Sequence, residues 1–326
     1  VRDGRVPESV VDEAVKEILI IIDCYVTNHK KDPDFSLGVQ HHLARKIARE
    51  SAVLLKNDGA LPLDPGARVA VVGAFAREPR YQGAGSSKIN PVSLDCAWDA
   101  LAAAGVAASY APGYDAATGE TDGSLLDEAA RNASAADVAV VFVGLPDASE
   151  SEGADRADMA LPAGHNALVE RVCAANPNTV VVLQGGSPVE LPWRGLPRAV
   201  LLCYLAGCRG GQAAADLLLG RANPSGKLAE TWPVRLADTP CAAYFPEKGR
   251  QARYRESVYT GYRYYDAAGA EVAYPFGHGL SYTEFSYHDL RVEEADDGFS
   301  VSFAVRNDGA RAGRGAVQLY VAPLEA

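Results

Sequence analysis

The sequence predicts an α/β fold: a mainly parallel sheet sandwiched by helices (an α/β sandwich), followed by the beginning of an all-β domain. Four short, Val-rich runs are almost continuously apolar, which is typical of strands covered on both faces. Stretches with Ala, Leu and Glu at helical spacing lie between and after them. This alternation favours a parallel sheet with functional loops at the carboxyl ends of its strands. After Tyr282 the apolar residues recur at every second position instead.

The chain opens with a predicted amphipathic helix over residues 7–25. Pro7 stands at the helix start, acidic residues occupy the early turns, and apolar residues recur at helical spacing. An isolated helix cannot hide such an apolar stripe, so we expect a partner surface. Polar residues from 27 to 36 predict a linker, and a second helix is predicted from about Val39 to Leu55, ending at Asn57-Asp58-Gly59.

The central part of the chain supplies the strands and helices of the predicted sandwich. The strands are predicted at Val69–Val72, Val138–Val143, Val180–Leu183 and Ala199–Leu202. The helices are predicted at residues 94–104, 125–135, 163–174 and 212–219. Farther on, residues 299–305 and 317–321 alternate as strands do, with a turn at Asn307-Asp308-Gly309 between them. Two or three strands bury too little to stand alone, so this unit is truncated or packs on the sheet domain.

Composition and charge narrow the classes of partner. The net charge of -11 over 326 residues, with no Lys/Arg cluster, argues against a nucleic-acid or anionic membrane surface. The longest apolar run, residues 199–206, is too short to span a bilayer. The six cysteines show no CxxC spacing or clustered Cys/His pairs, so we expect a reduced, cytoplasmic protein without a metal site or cofactor.

The first catalytic candidate lies in the segment from Tyr254 to Asp266. Its thirteen residues hold five tyrosines, two arginines and two carboxylates. Aromatic rings suit the apolar faces of sugars and keep water from a carboxyl group, as a general acid requires, so Glu256 is the candidate. Asp266 is interpreted as the start of a turn. An edge strand with a surface Glu–Arg pair explains the composition equally well.

Two loops after predicted strands supply further polar groups. Residues 81–90 predict a mobile, hydrogen-bonding rim, because their glycines do not match the GxGxxG spacing of dinucleotide sites. Residues 150–158 carry carboxylates and one Arg after the strongest strand. A metal site and a simple charged loop are both open there, with the second favoured. Residues 220–228 resemble a phosphate loop with the wrong spacing, and are interpreted as a structural turn.

Taken together, these segments resemble the C-terminal part of glycoside hydrolase family 3, the β-glucosidase family. The resemblance covers nearly the whole chain in the family's order. It is carried by residues 51–63, 82–90, 150–156 and 223–228, by the opening stretch, and by Tyr274-Pro275-Phe276-Gly277-His278-Gly279-Leu280-Ser281-Tyr282.

The resemblance implies a retaining β-glycosidase of the β-glucosidase type, acting on terminal non-reducing β-linked sugars. In that family a TIM-like barrel supplies the nucleophilic Asp and the α/β sandwich supplies the acid/base Glu, at a position that matches Glu256 here. We expect the substrate to be contacted by residues of the same segment and of the two loops. These are Tyr254, Arg255, Tyr259, Gln82, Ser86, Ser87, Glu152, Asp155 and Arg156.

The resemblance also divides the chain. Residues 1–30 are similar to the barrel's closing helix, 31–67 form a linker and lead-in helix, 68–283 the sandwich, and 284–326 a partial fibronectin type III-like domain. No segment matches the barrel's nucleophile motif, so we expect a barrel domain or chain as partner and an inactive isolated chain. A homodimer is also open. The alternative function is a non-catalytic carbohydrate-binding or scaffold module.

Overall fold

A computed structural model describes residues 1, 3–29, 36–153, 155–246 and 250–322. The chain divides into two compact units, Val1–Gln40 and His41–Ala326. In the described part of the chain, no helix is both long and apolar enough to cross a membrane.

The first unit is dominated by helix α1, Glu8–Asn28. The helix predicted over residues 7–25 is confirmed, and it continues for three more residues. Its apolar side chains are exposed, among them Val15, Ile18 and Ile22. Of the predicted linker, residues 27 and 28 belong to α1, and residues 30–35 lie outside the described residues.

The second helix, α2, covers Leu37–Ser51 and is followed by strand β1, Val53–Asn57. The prediction of a helix as far as Leu55 is therefore wrong in its last part. Val53, Leu54 and Leu55 are buried and form the antiparallel edge strand of the main sheet. A short apolar run fits a buried strand and a buried helical turn equally well, so its period could not decide between them.

Six strands form the main sheet, in the order β1-β6-β5-β4-β2-β3. Besides β1 they are β2 Val69–Val72, β3 Ala108–Ala111, β4 Val138–Gly144, β5 Thr179–Gln184 and β6 Ala199–Leu202. Only β1 runs antiparallel. The four predicted strands are confirmed. The sequence did not reveal β3, an edge strand of four residues in which Ser109 and Tyr110 interrupt the apolar run.

Helices cover both faces of the sheet. They are α3 Ala97–Ala103, α4 Gly123–Ser134, α5 Ala163–Ala175 and α6 Gly210–Leu218, each within three residues of its predicted bounds. α4 packs on α5, and α3 packs on α6. Right-handed crossovers place these two pairs on opposite faces. The predicted α/β sandwich is confirmed, and the carboxyl ends of β2, β4, β5 and β6 meet at one edge.

The rest of the chain adds small elements. Strands β7, Trp232–Pro233, and β8, Val272–Tyr274, form a two-stranded sheet, with helix α7, Tyr262–Ala268, before β8. Strands β9, Phe285–Ala295, and β10, Gly298–Asn307, form a hairpin. The strand predicted over residues 299–305 is confirmed as part of β10, whereas β9 was not predicted. The second predicted strand, over residues 317–321, is not formed. The turn predicted at Asp266 is also wrong, because α7 continues to Ala268 and ends at the left-handed Gly269.

His165 of α5 is a buried titratable group behind the sheet edge. Its ring lies 3.9 Å from that of Tyr114 and 5.4 Å from that of Phe75, measured between centroids. The backbone N–H of Gly144 donates to its Nδ1 at 3.2 Å, so the imidazole is neutral there. Burial lowers the pKa of His165 from 6.5 to about 4.

We expect His165 to make folding stability depend on pH. Its folded pKa lies below its unfolded value, so the unfolded chain gains the proton first as the pH falls. The stabilisation that the neutral, buried His165 gives the fold is fully present above about pH 6.5. It is lost as the pH falls to about 4, which lowers the free energy of unfolding by an amount on the order of 3 kcal/mol. Urea unfolding at several pH values should show a flatter profile for His165→Asn, which keeps an acceptor near Nδ1. Equal slopes for both proteins would contradict this assignment.

Candidate active site

Arg80 is the centre of the polar groups at the carboxyl edge of the sheet. It lies in the loop after β2, and only 7% of it is exposed. Its Nε donates to the carbonyl of Leu145 at 2.6 Å, and Gln184 Oε1 accepts from its backbone N–H at 2.9 Å. The guanidinium also pairs with Glu150 at 3.3 Å and with Asp147. Arg80 thereby joins the loops after β2 and β4 to the end of β5. A single Arg in a loop has no periodic signal, so sequence reasoning missed it.

The predicted rim loop, residues 81–90, is closed by Gln82. Its Nε2 donates to the carbonyl of Ile89 at 2.8 Å, and the Ile89 N–H donates to its Oε1 at 2.9 Å. Glu152 joins the rim from the loop after β4, because its carboxylate accepts from the Ser86 N–H at 2.8 Å. Hydrogen bonding from Ser86 lowers the pKa of Glu152. Ser87 is exposed on the same loop. The structure thus brings Gln82, Ser86 and Glu152 into one rim.

Arg156 extends this network towards β5. Its Nη1 donates to Ser187 Oγ at 2.7 Å, and Ser187 in turn donates to Glu150 Oε1 at 3.0 Å. Within the described part of the chain, the buried Nη2 of Arg156 has no hydrogen-bond partner. Arg156 therefore contacts a hydroxyl rather than the carboxylates beside it, and Asp155 is exposed. Among the described residues, no three His, Cys, Asp or Glu side chains could hold a metal ion together.

Glu256 lies elsewhere, on the wall of a pocket of about 390 Å³. Glu256 is half-buried, and its carboxylate lies near the Tyr244 hydroxyl. Burial, and then the charge of the Glu256 carboxylate, raise the pKa of Tyr244. Aromatic and basic residues make up much of the remaining wall. The described residues of the lining are Cys241, Tyr244, Phe245, Pro246, Arg250, Gln251, Ala252, Arg253, Tyr254 and Glu256.

The backbone around Glu256 forms consecutive turns, so the edge-strand alternative is wrong. The N–H of Tyr259 donates to the Glu256 carbonyl at 2.8 Å, and Ser257 has a positive φ of 51°. The Arg255 guanidinium lies over the Tyr244 ring, 5.4 Å from its centroid. Tyr254 and Tyr259 are 91% and 53% exposed, as rings that stack on a ligand would be.

The predicted site residues therefore form two separate groups. The described residues that line the Glu256 pocket all lie between 241 and 256, and the rim residues are not among them. Tyr244, which contacts Glu256, was not predicted. It stands in a turn, and only the folded chain shows that residues twelve positions apart meet.

Comparison with known proteins assigns the chain to a family. The sequence model of the glycosyl hydrolase family 3 C-terminal domain matches residues 52–282. The chain belongs to glycoside hydrolase family 3. The resemblance carried by its motifs is thereby confirmed, and the match covers the whole sandwich, including both groups of site residues.

Relatives of this family 3 chain are glycoside hydrolases. It is 46% identical to thermostable beta-glucosidase B of Acetivibrio thermocellus over 98% of the chain, and 38% identical to an exo-alpha-(1->6)-L-arabinopyranosidase of Bifidobacterium breve over its full length. The crystal structure of a family 3 beta-glucosidase from Bifidobacterium adolescentis covers 94% of the chain with a TM-score of 0.90 and 39% identity. The chain spans 44 to 46% of these proteins and matches their C-terminal half.

We expect Arg80→Met to destabilise the chain by about 3–5 kcal/mol, because it leaves the Glu150 carboxylate, only 11% exposed, without its cation. Urea unfolding measures this. The control is Arg68→Met, which removes an exposed ion pair with Asp137 and should cost no more than about 1 kcal/mol. Equal losses for the two variants would show that Arg80 does not hold the loops together.

Proposed function

We propose that this chain is the C-terminal portion of a retaining β-glycosidase of the β-glucosidase type, which hydrolyses terminal non-reducing β-linked sugars. Glu256 is its general acid/base, and the nucleophilic Asp lies on a TIM-like barrel outside this chain. The observation that carries the proposal is the half-buried Glu256 carboxylate, which lies near the Tyr244 hydroxyl on the wall of an aromatic pocket. Membership of family 3 supports it.

In the first step the nucleophile attacks the anomeric carbon and the protonated Glu256 gives its proton to the leaving oxygen. In the second step the Glu256 carboxylate takes a proton from water, which attacks the glycosyl-enzyme. The Tyr244 hydroxyl lies near this carboxylate and can donate to one of its oxygens, which leaves the other for this proton. The acid and the nucleophile are about 5–5.5 Å apart in such enzymes, so the barrel must place its Asp beside this pocket.

The remaining predicted residues take substrate-binding roles in this proposal. Tyr254 and Tyr259 present exposed rings to a sugar, with Arg255 beside them. On the rim, Gln82, Ser86, Ser87, Glu152, Asp155 and Arg156 supply polar groups. Arg156 is favoured among these, because its buried Nη2 has a hydrogen atom to donate and no partner among the described residues. The substrate is a β-glucoside or a related glycoside.

A non-catalytic carbohydrate-binding module is the second candidate, favoured by the strong exposure of Tyr254. Joining this chain to the N-terminal part of the Acetivibrio thermocellus beta-glucosidase, which it does not cover, decides between the two. Hydrolysis of an aryl β-glucoside by the assembled enzyme supports the catalytic role. Sugar binding without hydrolysis supports the module.

The six cysteines are free thiols, which supports the proposed cytoplasmic location.

In the assembled enzyme we expect Glu256→Gln to lower kcat/KM on an alkyl β-glucoside by about 100- to 10,000-fold, because the amide cannot protonate the leaving oxygen. The loss should be much smaller for the first step with 2,4-dinitrophenyl β-glucoside, whose leaving group needs little protonation. Azide should restore turnover of that substrate, since it attacks the glycosyl-enzyme without a general base.

The matched control is Glu271→Gln, which changes an exposed carboxylate that pairs with Arg194 on the surface. It should leave kcat/KM unchanged. If Glu256→Gln hydrolyses the alkyl β-glucoside as fast as this control does, another residue is the acid.

Tyr244→Phe should lower activity less, by about 10-fold, because it removes the hydroxyl that we infer donates to the carboxylate and keeps the ring. The loss should be larger for the alkyl than for the dinitrophenyl substrate, since only the former depends on the acid. Tyr287→Phe, on the exposed face of β9, is the control. Equal losses on both substrates would mean that Tyr244 serves the pocket's structure and not the acid.

A further inference from the structure

Three aromatic rings from distant parts of the chain meet next to the Glu256 segment. Tyr262 stacks on Phe276 with centroids 5.3 Å apart and planes at 29°. Tyr320 meets Tyr262 edge to face, at 5.5 Å and 81°. Both arrangements are favourable for aromatic pairs. We call these residues the aromatic clamp. Tyr320 lies beyond residues 52–282, the part of the chain that the family model matches.

The segment that carries Tyr320 is seated on the sandwich rather than extended away from it. The Tyr320 hydroxyl donates to Gln318 Oε1 at 2.7 Å. Gln318 lies so close to Gly277 that a Cβ there would overlap its side-chain amide. The Gly277 N–H donates to the carbonyl of Leu228 at 2.8 Å, which fixes this turn to the body of the domain. The segment that carries Tyr320 therefore lies against a turn that is hydrogen-bonded to the domain.

The clamp lies at the C-terminal base of the Glu256 turn. Tyr262 is the first residue of α7, and only Thr260 and Gly261 separate it from Tyr259. The N–H of Tyr259 closes the turn on the Glu256 carbonyl at 2.8 Å. α7 itself is anchored by Tyr265, which is 6% exposed.

Side chains of the Glu256 turn are largely exposed, so their own packing does little to hold the turn in place. Tyr254 is 91% exposed, Val258 is 65% exposed and Tyr259 is 53% exposed. Segments with few buried apolar contacts open locally at low free energy. The position of Glu256 therefore depends on what holds the two ends of the turn, and Tyr262 is the first packed ring beyond its C-terminal end.

We propose that Tyr320 is a positioning residue, which holds the Glu256 turn in place through Tyr262 and Phe276. Its ring blocks the movement of Tyr262 away from Phe276, and so limits the displacement of the carboxylate. The inference rests on the proposed function of Glu256. It gives the C-terminal segment a role in catalysis although this segment does not reach the Glu256 pocket in the described structure.

The test compares Tyr320→Ala with Tyr320→Phe in the assembled enzyme. We expect Tyr320→Ala to lower kcat on an alkyl β-glucoside by about 10-fold or more, because misplacing a reacting group by about 1 Å can cost roughly 100-fold. The loss should be smaller on 2,4-dinitrophenyl β-glucoside, which barely needs the acid. Tyr320→Phe keeps the ring and should be as active as the unmodified enzyme. Val321→Ala, at the neighbouring position with 92% exposure, should change nothing.

A second readout uses this chain alone and needs no catalysis. Tyr320→Ala should speed hydrogen exchange of the backbone amides of residues 254–264 by about 10-fold and leave the β4 and β5 amides protected. If that variant unfolds, Tyr320→Leu replaces it, since it keeps apolar volume. Unchanged exchange in residues 254–264, or equal activity losses on both substrates, would overturn the proposal.

The same experiments separate this inference from the function it rests on. If Glu256→Gln remains fully active, the acid/base assignment fails, whereas the exchange data still decide whether Tyr320 holds the turn. If Glu256→Gln is inactive and Tyr320→Ala is fully active, only the positioning role is wrong.

Discussion

The burial of one cation determines the arrangement of the loops at the sheet edge. A guanidinium taken out of water must be paired, and that of Arg80 finds its partners on the loop after β4. The loop after β4 therefore has to bring the Leu145 carbonyl and the Glu150 carboxylate to a fixed place. Glu150 accepts in turn from Ser187, which orients Arg156. The arrangement of the rim thus follows from the pairing of the Arg80 guanidinium. The register of the strands below sets where the loops that carry its partners begin.

The Glu256 segment is not held in place by a buried charge, unlike the rim loops. It follows no strand of the main sheet and lies in turns whose side chains are largely exposed. Its support comes from individual contacts: the Tyr244 hydroxyl near the carboxylate and packed rings at the start of α7. These contacts have to hold one carboxyl group where it can act on two different oxygens in turn, first on the leaving group and then on water.

The sequence predicted those features whose signal lies in residues adjacent in the chain. The Val-rich runs predicted β2, β4, β5 and β6, because a strand buried on both faces has to be apolar throughout. Glu256 was found as a candidate from its aromatic neighbours in the chain. β1 was taken for a helix, since five residues do not show a period. Arg80 and Tyr244 act through partners that the fold brings near, and no pattern around either residue marks it.

The proposed mechanism also explains why a tyrosine stands at position 244. When Glu256 gives up its proton it becomes an anion, and a donor fixed on its other oxygen gains strength as that charge develops. A bond that is stronger in the transition state than in the ground state accelerates the step, whereas one of constant strength does not. The hydroxyl remains protonated throughout, because burial and the carboxylate's own charge raise the pKa of Tyr244. The carboxylate therefore keeps a donor in both of its roles without a competing acid beside it.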